Sequence, residues 1–211
     1  MNAQDPCVVL LHGLWLNRWA MIVWRWRLRR AGFAVASFGY PSWRDDLHAN
    51  AARLSEFIAA LPAREIHLVA HSMGGVVAAR ALHDCPDARV RRVVMVGSPC
   101  QDSLAARRLM RCRFGRFLLG RSMMQWLQQS RRTAFPQQVE VGVIAGSLGI
   151  GLGRLLAKLP QPHDGVVAEQ EAHVEAARDH LLLPVAHFGM LFARSVSAAT
   201  VNFLRHGRFH P

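Results

Sequence analysis

The 211-residue sequence predicts an α/β fold built on a parallel sheet with helices on both faces, and three observations carry the prediction. Strand-like apolar runs at 7–11, 33–38, 66–70, 90–96, 139–145 and 180–185 alternate with helical stretches at 15–30, 47–61, 73–84, 103–130 and 189–205. The first run, Cys7-Val8-Val9-Leu10-Leu11, is apolar at every position, as a strand covered on both faces must be. The third run, Ile66-His67-Leu68-Val69, passes into a helix-forming stretch through a tight turn with small residues.

Taken in order, the segment 15–30 follows the first strand and reads as the first crossover helix. Its Trp15, Trp19, Trp24 and Trp26, set among Arg25, Arg27, Arg29 and Arg30, have the look of an interfacial element, but they are expected instead to supply the apolar face that such a helix buries on the sheet. Ser42 or Asp46 is placed to cap the second helix, whose Leu47, Leu54, Phe57, Ile58 and Leu61 recur at near-helical spacing until Pro62 stops it. Between 146 and 179 the pattern is ambiguous: Gly146, Gly149, Gly151 and Gly153 read as loop, and 166–177 is compatible with helix or extended chain. Nothing repeats at a fixed period and no linker composition divides the chain, so one domain over 1–211 is expected.

Composition narrows the class further. With 51% hydrophobic and 19% charged residues, the chain is long enough and apolar enough to bury a full core. Residues 1–6 lack the features of a secretory signal, and the apolar stretch 141–157 is interrupted by glycines and Arg154 and is too short to span a bilayer. A cytoplasmic protein, with peripheral membrane association left open, is the expectation. Cys7, Cys85, Cys100 and Cys112 have no metal-binding or disulfide spacing and read as isolated thiols. The net charge is +12, and Lys158 is the only lysine among 26 basic residues, which favours anionic partners. No zinc-finger, RNP-like or helix-turn-helix pattern accompanies that charge, so nucleic acid is not the expected partner.

Four segments carry the chemistry. Ala70-His71-Ser72-Met73-Gly74-Gly75 joins the third strand to its helix. A serine on a sharp strand-to-helix turn is pushed out of the sheet, where its hydroxyl can reach a substrate and a base, and small residues on either side let strand and helix backbones approach. His12-Gly13-Leu14 follows the first strand, where Gly13 lets backbone N–H groups point at a developing oxyanion. Asp164 lies in His163-Asp164-Gly165-Val166-Val167 and His187 in Pro184-Val185-Ala186-His187-Phe188-Gly189. The chain order Ser72, Asp164, His187 differs from that of chymotrypsin-like and subtilisin-like proteins.

From Val8 to about Leu204 these segments resemble a small bacterial α/β-hydrolase of the lipase/esterase type, in particular the compact lipases with an Ala-His-Ser-Met-Gly elbow. Val96-Gly97-Ser98-Pro99 is similar to the Gly-Thr-Pro turn of such lipases, although Cys100-Gln101-Asp102-Ser103 departs from the His-Gly-Ser that often follows. The resemblance implies a minimal α/β-hydrolase fold: a six-stranded, mostly parallel sheet of order 2-1-3-4-5-6 without the antiparallel pair of larger members. It also implies a serine hydrolase that cleaves a carboxylic ester through an acyl-enzyme. Ser72 would be the nucleophile, His187 the base and Asp164 the orienting acid, with the Leu14 and Met73 N–H groups as the oxyanion hole. His71 is not the base in this pattern. No cofactor or metal is implied, and thioester or amide substrates would use the same groups.

Alternatives remain at three places. Asp102, Glu175 and Asp179 compete with Asp164 for the acid. His173 and His180 bracket an acidic stretch without metal-ligand spacing. Residues 103–138 carry Arg107, Arg108, Arg111, Arg113, Arg116, Arg121, Arg131 and Arg132 and no acidic residue, interleaved with apolar side chains. A basic helical cap over about 103–132 is expected there, with an ordinary solvated helix as the alternative. The partner would be a small-molecule ester or a lipid, with an anionic membrane surface possible through the arginines; oligomeric state is left open. The rival reading from another class is a non-catalytic member of the fold that binds an anionic partner through this segment.

Overall fold

The computed structural model describes residues 6–129, 134–150 and 159–210. Six strands, β1 (Cys7–Leu11), β2 (Ala34–Phe38), β3 (Ile66–His71), β4 (Val90–Val96), β5 (Glu140–Gly146) and β6 (Asp179–Leu183), form one sheet of order β2-β1-β3-β4-β5-β6. Every pairing is parallel, so the expected order is observed and the sheet is wholly rather than mostly parallel.

Burial follows position in that order. The inner strands β1 and β3 are buried at every residue, as continuous apolar runs require, whereas the edge strand β6 alternates between half-buried and exposed. Successive side chains of a strand point to opposite faces. Cys7, Val9 and Leu11 therefore pack with α2 (Leu47–Ala59) and α3 (Met73–Asp84), while Val8 and Leu10 pack with α1 (Ile22–Arg30) and the C-terminal helix α7 (Arg194–His206). Asp46, not Ser42, caps α2, its carboxylate accepting from Ala49 N–H at 2.9 Å.

The first and fourth expected helices differ from expectation. Asn17 accepts from Trp19 N–H and starts a short 3-10 turn, Arg18–Met21, so Trp15 lies outside the helix in a left-handed turn at φ 60°. Of its tryptophans only Trp24 is buried; Trp15, Trp19 and Trp26 are exposed, contrary to a single core-facing role. The stretch 103–130 is not one helix. Ser103 caps α4 (Leu104–Met110), the Cys112 sulfur accepts from Gly115 N–H and restarts the chain as α5 (Arg113–Gln128), and Gly120 at φ 67° kinks it where Trp43 packs against the backbone. Arg131 and Arg132 of the expected cap lie outside the described residues.

The ambiguous 146–179 segment contains Gly146 as the last residue of β5 rather than as loop, a His163–Ala168 bridge, and one short helix, α6 (Glu169–Ala172). Gly151 and Gly153 lie outside the described residues. All four cysteines are free thiols, Cys7 and Cys100 buried, Cys85 and Cys112 exposed. No helix among the described residues is long and apolar enough to cross a membrane.

Candidate active site

The parallel register brings the carboxyl ends of the strands to one edge, with Leu11 beside Ala70 and His71 beside Val96. The turns after β1, β3 and β4, the loop after β5 and the turn after β6 therefore meet there, where open parallel sheets bind ligands.

Ser72 sits between the last residue of β3 and the first of α3 with φ 52° and ψ −125°, a backbone state costly for any residue but glycine. The turn is held by its surroundings: Ser72 N–H donates to Val96 O at 2.9 Å and Gly75 N–H to Ser72 O at 3.0 Å. A Cβ at Gly74 would come within 2.7 Å of His12 O and 3.0 Å of Leu11 Cβ, so only glycine lets α3 start this close to the end of β1. Met73 is the first residue of α3, where backbone N–H groups lack intrahelical acceptors.

Asp164 and His187 are brought together. The His187 Nδ1–H donates to Asp164 Oδ2 at 2.7 Å, and His187 N–H to Asp164 O at 2.9 Å, with both side chains buried. A carboxylate accepts, so Nδ1 is the ring nitrogen that donates in this bond and Nε2 is the one that remains for another partner. The second carboxylate oxygen, Oδ1, is occupied by Val166 N–H at 2.8 Å and Val167 N–H at 2.7 Å. Asp164 is thus fixed by its own turn, Gly165 supplying φ 96°. The three rivals are elsewhere: Asp102 holds Arg107 Nε through both oxygens, Asp179 accepts from Phe209 N–H, and Glu175 lines a separate cleft with His173. His173 and His180 stack at 4.7 Å between ring centroids, and no cluster among the described residues could hold a metal ion.

Ser72 and His187 line one cavity of about 310 Å³, together with Gly13 and Leu14 from the turn after β1. Its upper wall is apolar and comes from α4 and α5, chiefly Ala106, Leu109, Leu119 and Met123. Trp15 stands at the mouth, its indole N–H donating to Leu118 O at 2.8 Å. Of the segment expected to form a cap, the described helices α4 and α5 line the candidate site.

Two further histidines frame the site without competing for protons. His71 is fully buried; desolvation first, and then the neighbouring His187, push its pKa down to about 3. It is neutral, and since its Nε2 faces the His187 carbonyl at 3.2 Å, that nitrogen carries the proton and donates. His12 is also buried and its pKa lowered by desolvation. It stacks on Tyr40 at 4.4 Å, and the Tyr40 hydroxyl donates to His12 O at 2.7 Å, which fixes the backbone of the turn carrying Gly13 and Leu14.

Sequence reasoning missed two contributors. Gly97, at φ 57°, leaves the space in which Asp164 and His187 meet, since a Cβ there would come within 3.2 Å of both Asp164 Oδ2 and His187 Nδ1. The only sequence trace was the Gly-Ser-Pro turn. Glu171 is buried, and burial raises its pKa; it accepts from Ala168 N–H at 2.8 Å and from Leu104 N–H at 2.5 Å, joining the Asp164 loop to the start of α4. Alanine at the cap position 168 hides half of the usual capping-box signature.

Known structures share this fold. A Bacillus licheniformis lipase, BlEst2, is 20% identical over 97% of this chain and 92% of its own, with a TM-score of 0.75. A metagenomic carboxyl esterase, MGS0156, is 23% identical over 89% of this chain but only 65% of its own, with a TM-score of 0.62. An esterase from Exiguobacterium antarcticum is 15% identical, covering 96% and 93%, with a TM-score of 0.63. No curated protein matches the chain. At such identities the structures speak for the fold alone, but residues 8–204 also match the model of the alpha/beta hydrolase family, and with its sheet, elbow and chain order this protein belongs to that family.

Proposed function

We propose that the protein is a serine hydrolase of carboxylic esters working through an acyl-enzyme. The observation that carries the reading is a serine held on a strained strand-to-helix turn, in one cavity with a histidine whose other nitrogen is bonded to a buried carboxylate. Ser72 Oγ attacks the acyl carbon as His187 Nε2 takes its proton. Asp164 holds the imidazole in the Nδ1–H form and stabilises the imidazolium. The N–H groups of Leu14 and Met73 receive the oxyanion, each worth about 3 kcal/mol to the transition state. His187 then returns the proton to the leaving alcohol, the C–O bond breaks, and water repeats the sequence on the acyl-Ser72. Thioesters and amides would pass through the same groups.

The chain acts as one domain in this reading, and α4–α5 form the cap of its acyl pocket. The apolar upper wall favours an acyl chain, hence a small-molecule ester or a lipid ester, and the exposed cap arginines would face an anionic surface. The test is labelling with a fluorophosphonate probe, followed by turnover of p-nitrophenyl esters of increasing chain length. Labelling that disappears in Ser72→Ala, with turnover of esters in the wild type, is expected. Equal labelling of that variant, or no turnover of any ester in the series, overturns the proposal.

A further inference from the structure

The first crossover segment carries two apolar stripes on opposite sides. Met21, Trp24 and Leu28 pack into the core against the sheet and α7. Trp19, Ile22 and Trp26 have the same spacing but are displaced by two residues, roughly 200° around a helix, and remain 60%, 48% and 57% exposed. An outer row of large apolar side chains of this kind marks an interaction surface.

Charge identifies the kind of partner. From residue 6 to residue 44 there is no Asp or Glu, while Arg18, Arg25, Arg29 and Arg30 surround the stripe. The Arg18 and Arg30 guanidinium groups lie 5.2 Å and 5.0 Å from the ring centroids of Trp19 and Trp26. Among the described residues none of these four arginines is in an ion pair, although six other arginines are. Arg27, in contrast, turns inward and donates to Phe192 O, Ala193 O and Ser197 Oγ. Between the stripe and the outer edge of β2 lies an open cleft of about 320 Å³, lined by Arg18, Ile22, Arg25 and Val35–Ser37 residues. Arg25 Nε is buried without an acceptor.

We propose that this face docks the protein on an anionic lipid surface. Trp19, Ile22 and Trp26 enter the boundary between headgroups and acyl chains, Arg18 and Arg25 take a lipid phosphate in the cleft, and Arg29 and Arg30 remain at headgroup level. Indole rings are suited to that boundary. A second copy of a chain with net charge +12 would set arginine against arginine. An acidic protein would satisfy the arginines but gives no reason for an apolar row at interfacial-helix spacing. The stripe begins four residues after Trp15 at the cavity mouth, so docking brings lipid beside the candidate active site. The inference goes beyond the ester-hydrolase reading and does not depend on Ser72 chemistry.

The test is co-sedimentation of the full chain with phosphatidylcholine vesicles, with or without phosphatidylglycerol, at low and high salt. Expected is binding to the anionic vesicles alone, weakened by salt. It should fall at least about ten-fold in Trp19→Ser/Trp26→Ser and at least about 100-fold in the variant with Arg18, Arg25, Arg29 and Arg30 changed to Gln, at about five-fold per arginine. Arg64→Gln/Arg91→Gln, which removes two exposed charges at the amino-terminal ends of the central strands β3 and β4, should change it less than two-fold beyond the lost net charge. Far-UV circular dichroism and hydrolysis of p-nitrophenyl acetate should be unchanged in all variants, so a failure of ester turnover is read separately from a failure of docking. No binding to anionic vesicles, equal binding to neutral ones, or full binding by the Trp19/Trp26 variant overturns the proposal. Capture by immobilised polyglutamate without capture by anionic vesicles reassigns the face to an acidic protein and also overturns it.

Discussion

The floor and the roof of the candidate cavity are built on different principles. On the floor each polar atom of the Asp164 carboxylate has a backbone or imidazole partner, and Ser72 is held by main-chain bonds to neighbouring strand and helix. The roof is held by side chains reaching from other elements: Trp15 to Leu118 O, Trp43 to Phe117 O, and Asn50 to Ser122, whose hydroxyl donates in turn to Asp45 O. Geometry demanded within about half an ångström needs main-chain partners, whereas a wall that only excludes water needs volume. A change in the floor should therefore act on rate, and a change in the roof on which substrate fits and on stability.

The largest effect expected is that of Ser72→Ala, a loss of kcat on the order of 10⁵-fold or more with the melting temperature unchanged. Asp164→Asn comes next, at about 10⁴-fold, because an amide presents the wrong hydrogen-bonding pattern to the imidazole. Asp102→Asn, which loses the ion pair to Arg107 and keeps an oxygen for Ser103 N–H, should stay within two-fold. If Asp102→Asn proves the damaging change, the acid lies in the other loop and the division between floor and roof fails.

Acid should weaken the fold through histidines kept neutral by burial. His71 and His67 have pKa values pushed down to about 3 and about 4, both by desolvation first. From about pH 6 downward the unfolded chain binds two protons that the native state refuses, so stability falls as pH falls, by up to about 2.7 kcal/mol per pH unit. Urea unfolding between pH 7 and pH 4.5 measures this, and His67→Gln should roughly halve the slope. A flat profile would mean that the native interior tolerates a charged imidazole at these two positions.

Smaller effects belong to the roof. Leu109→Trp should lower kcat/KM for long p-nitrophenyl esters about ten-fold while sparing acetate, and an equal loss for acetate would place Leu109 in the floor. Ser122→Ala strands the Asn50 amide and should cost about 1–2 kcal/mol in denaturant unfolding without changing acetate turnover.

The same difference explains what the sequence made legible. The six strands were readable because a parallel sheet requires continuous apolar runs, as at β1 and β3, whereas their order came from the resemblance to a minimal α/β-hydrolase and not from the runs themselves. Ser72 and His187 were legible as candidates from the turns that follow their strands, and Asp164 was preferred to Asp102, Glu175 and Asp179 through the resemblance of its turn; in the structure Asp164 meets His187, and His187 and Ser72 line one cavity. The breaks inside 103–130 were not readable, since a cysteine sulfur stands in for a capping hydroxyl and Gly120 is shaped by Trp43, distant in sequence. The interfacial reading of the first crossover segment was set aside in favour of burial for a related reason. Residues 19, 22 and 26 have the same period as 21, 24 and 28, and periodicity alone does not say which row faces inward.

Glu171 ties the roof to the floor where α4 begins. Its carboxylate is shared between the first N–H of α4 and the loop that carries Asp164, and separating the two would leave that buried carboxylate short of a donor. The far end of α5 is held separately by α2, where Leu47 N–H donates to Gln125 Oε1 at 2.7 Å and where Trp126 and Leu127 are buried. The pair of helices is thus pinned at both ends like a bridge, and an occupant of the cavity has to be fitted by the apolar side chains of the span between, Leu109, Leu119 and Met123.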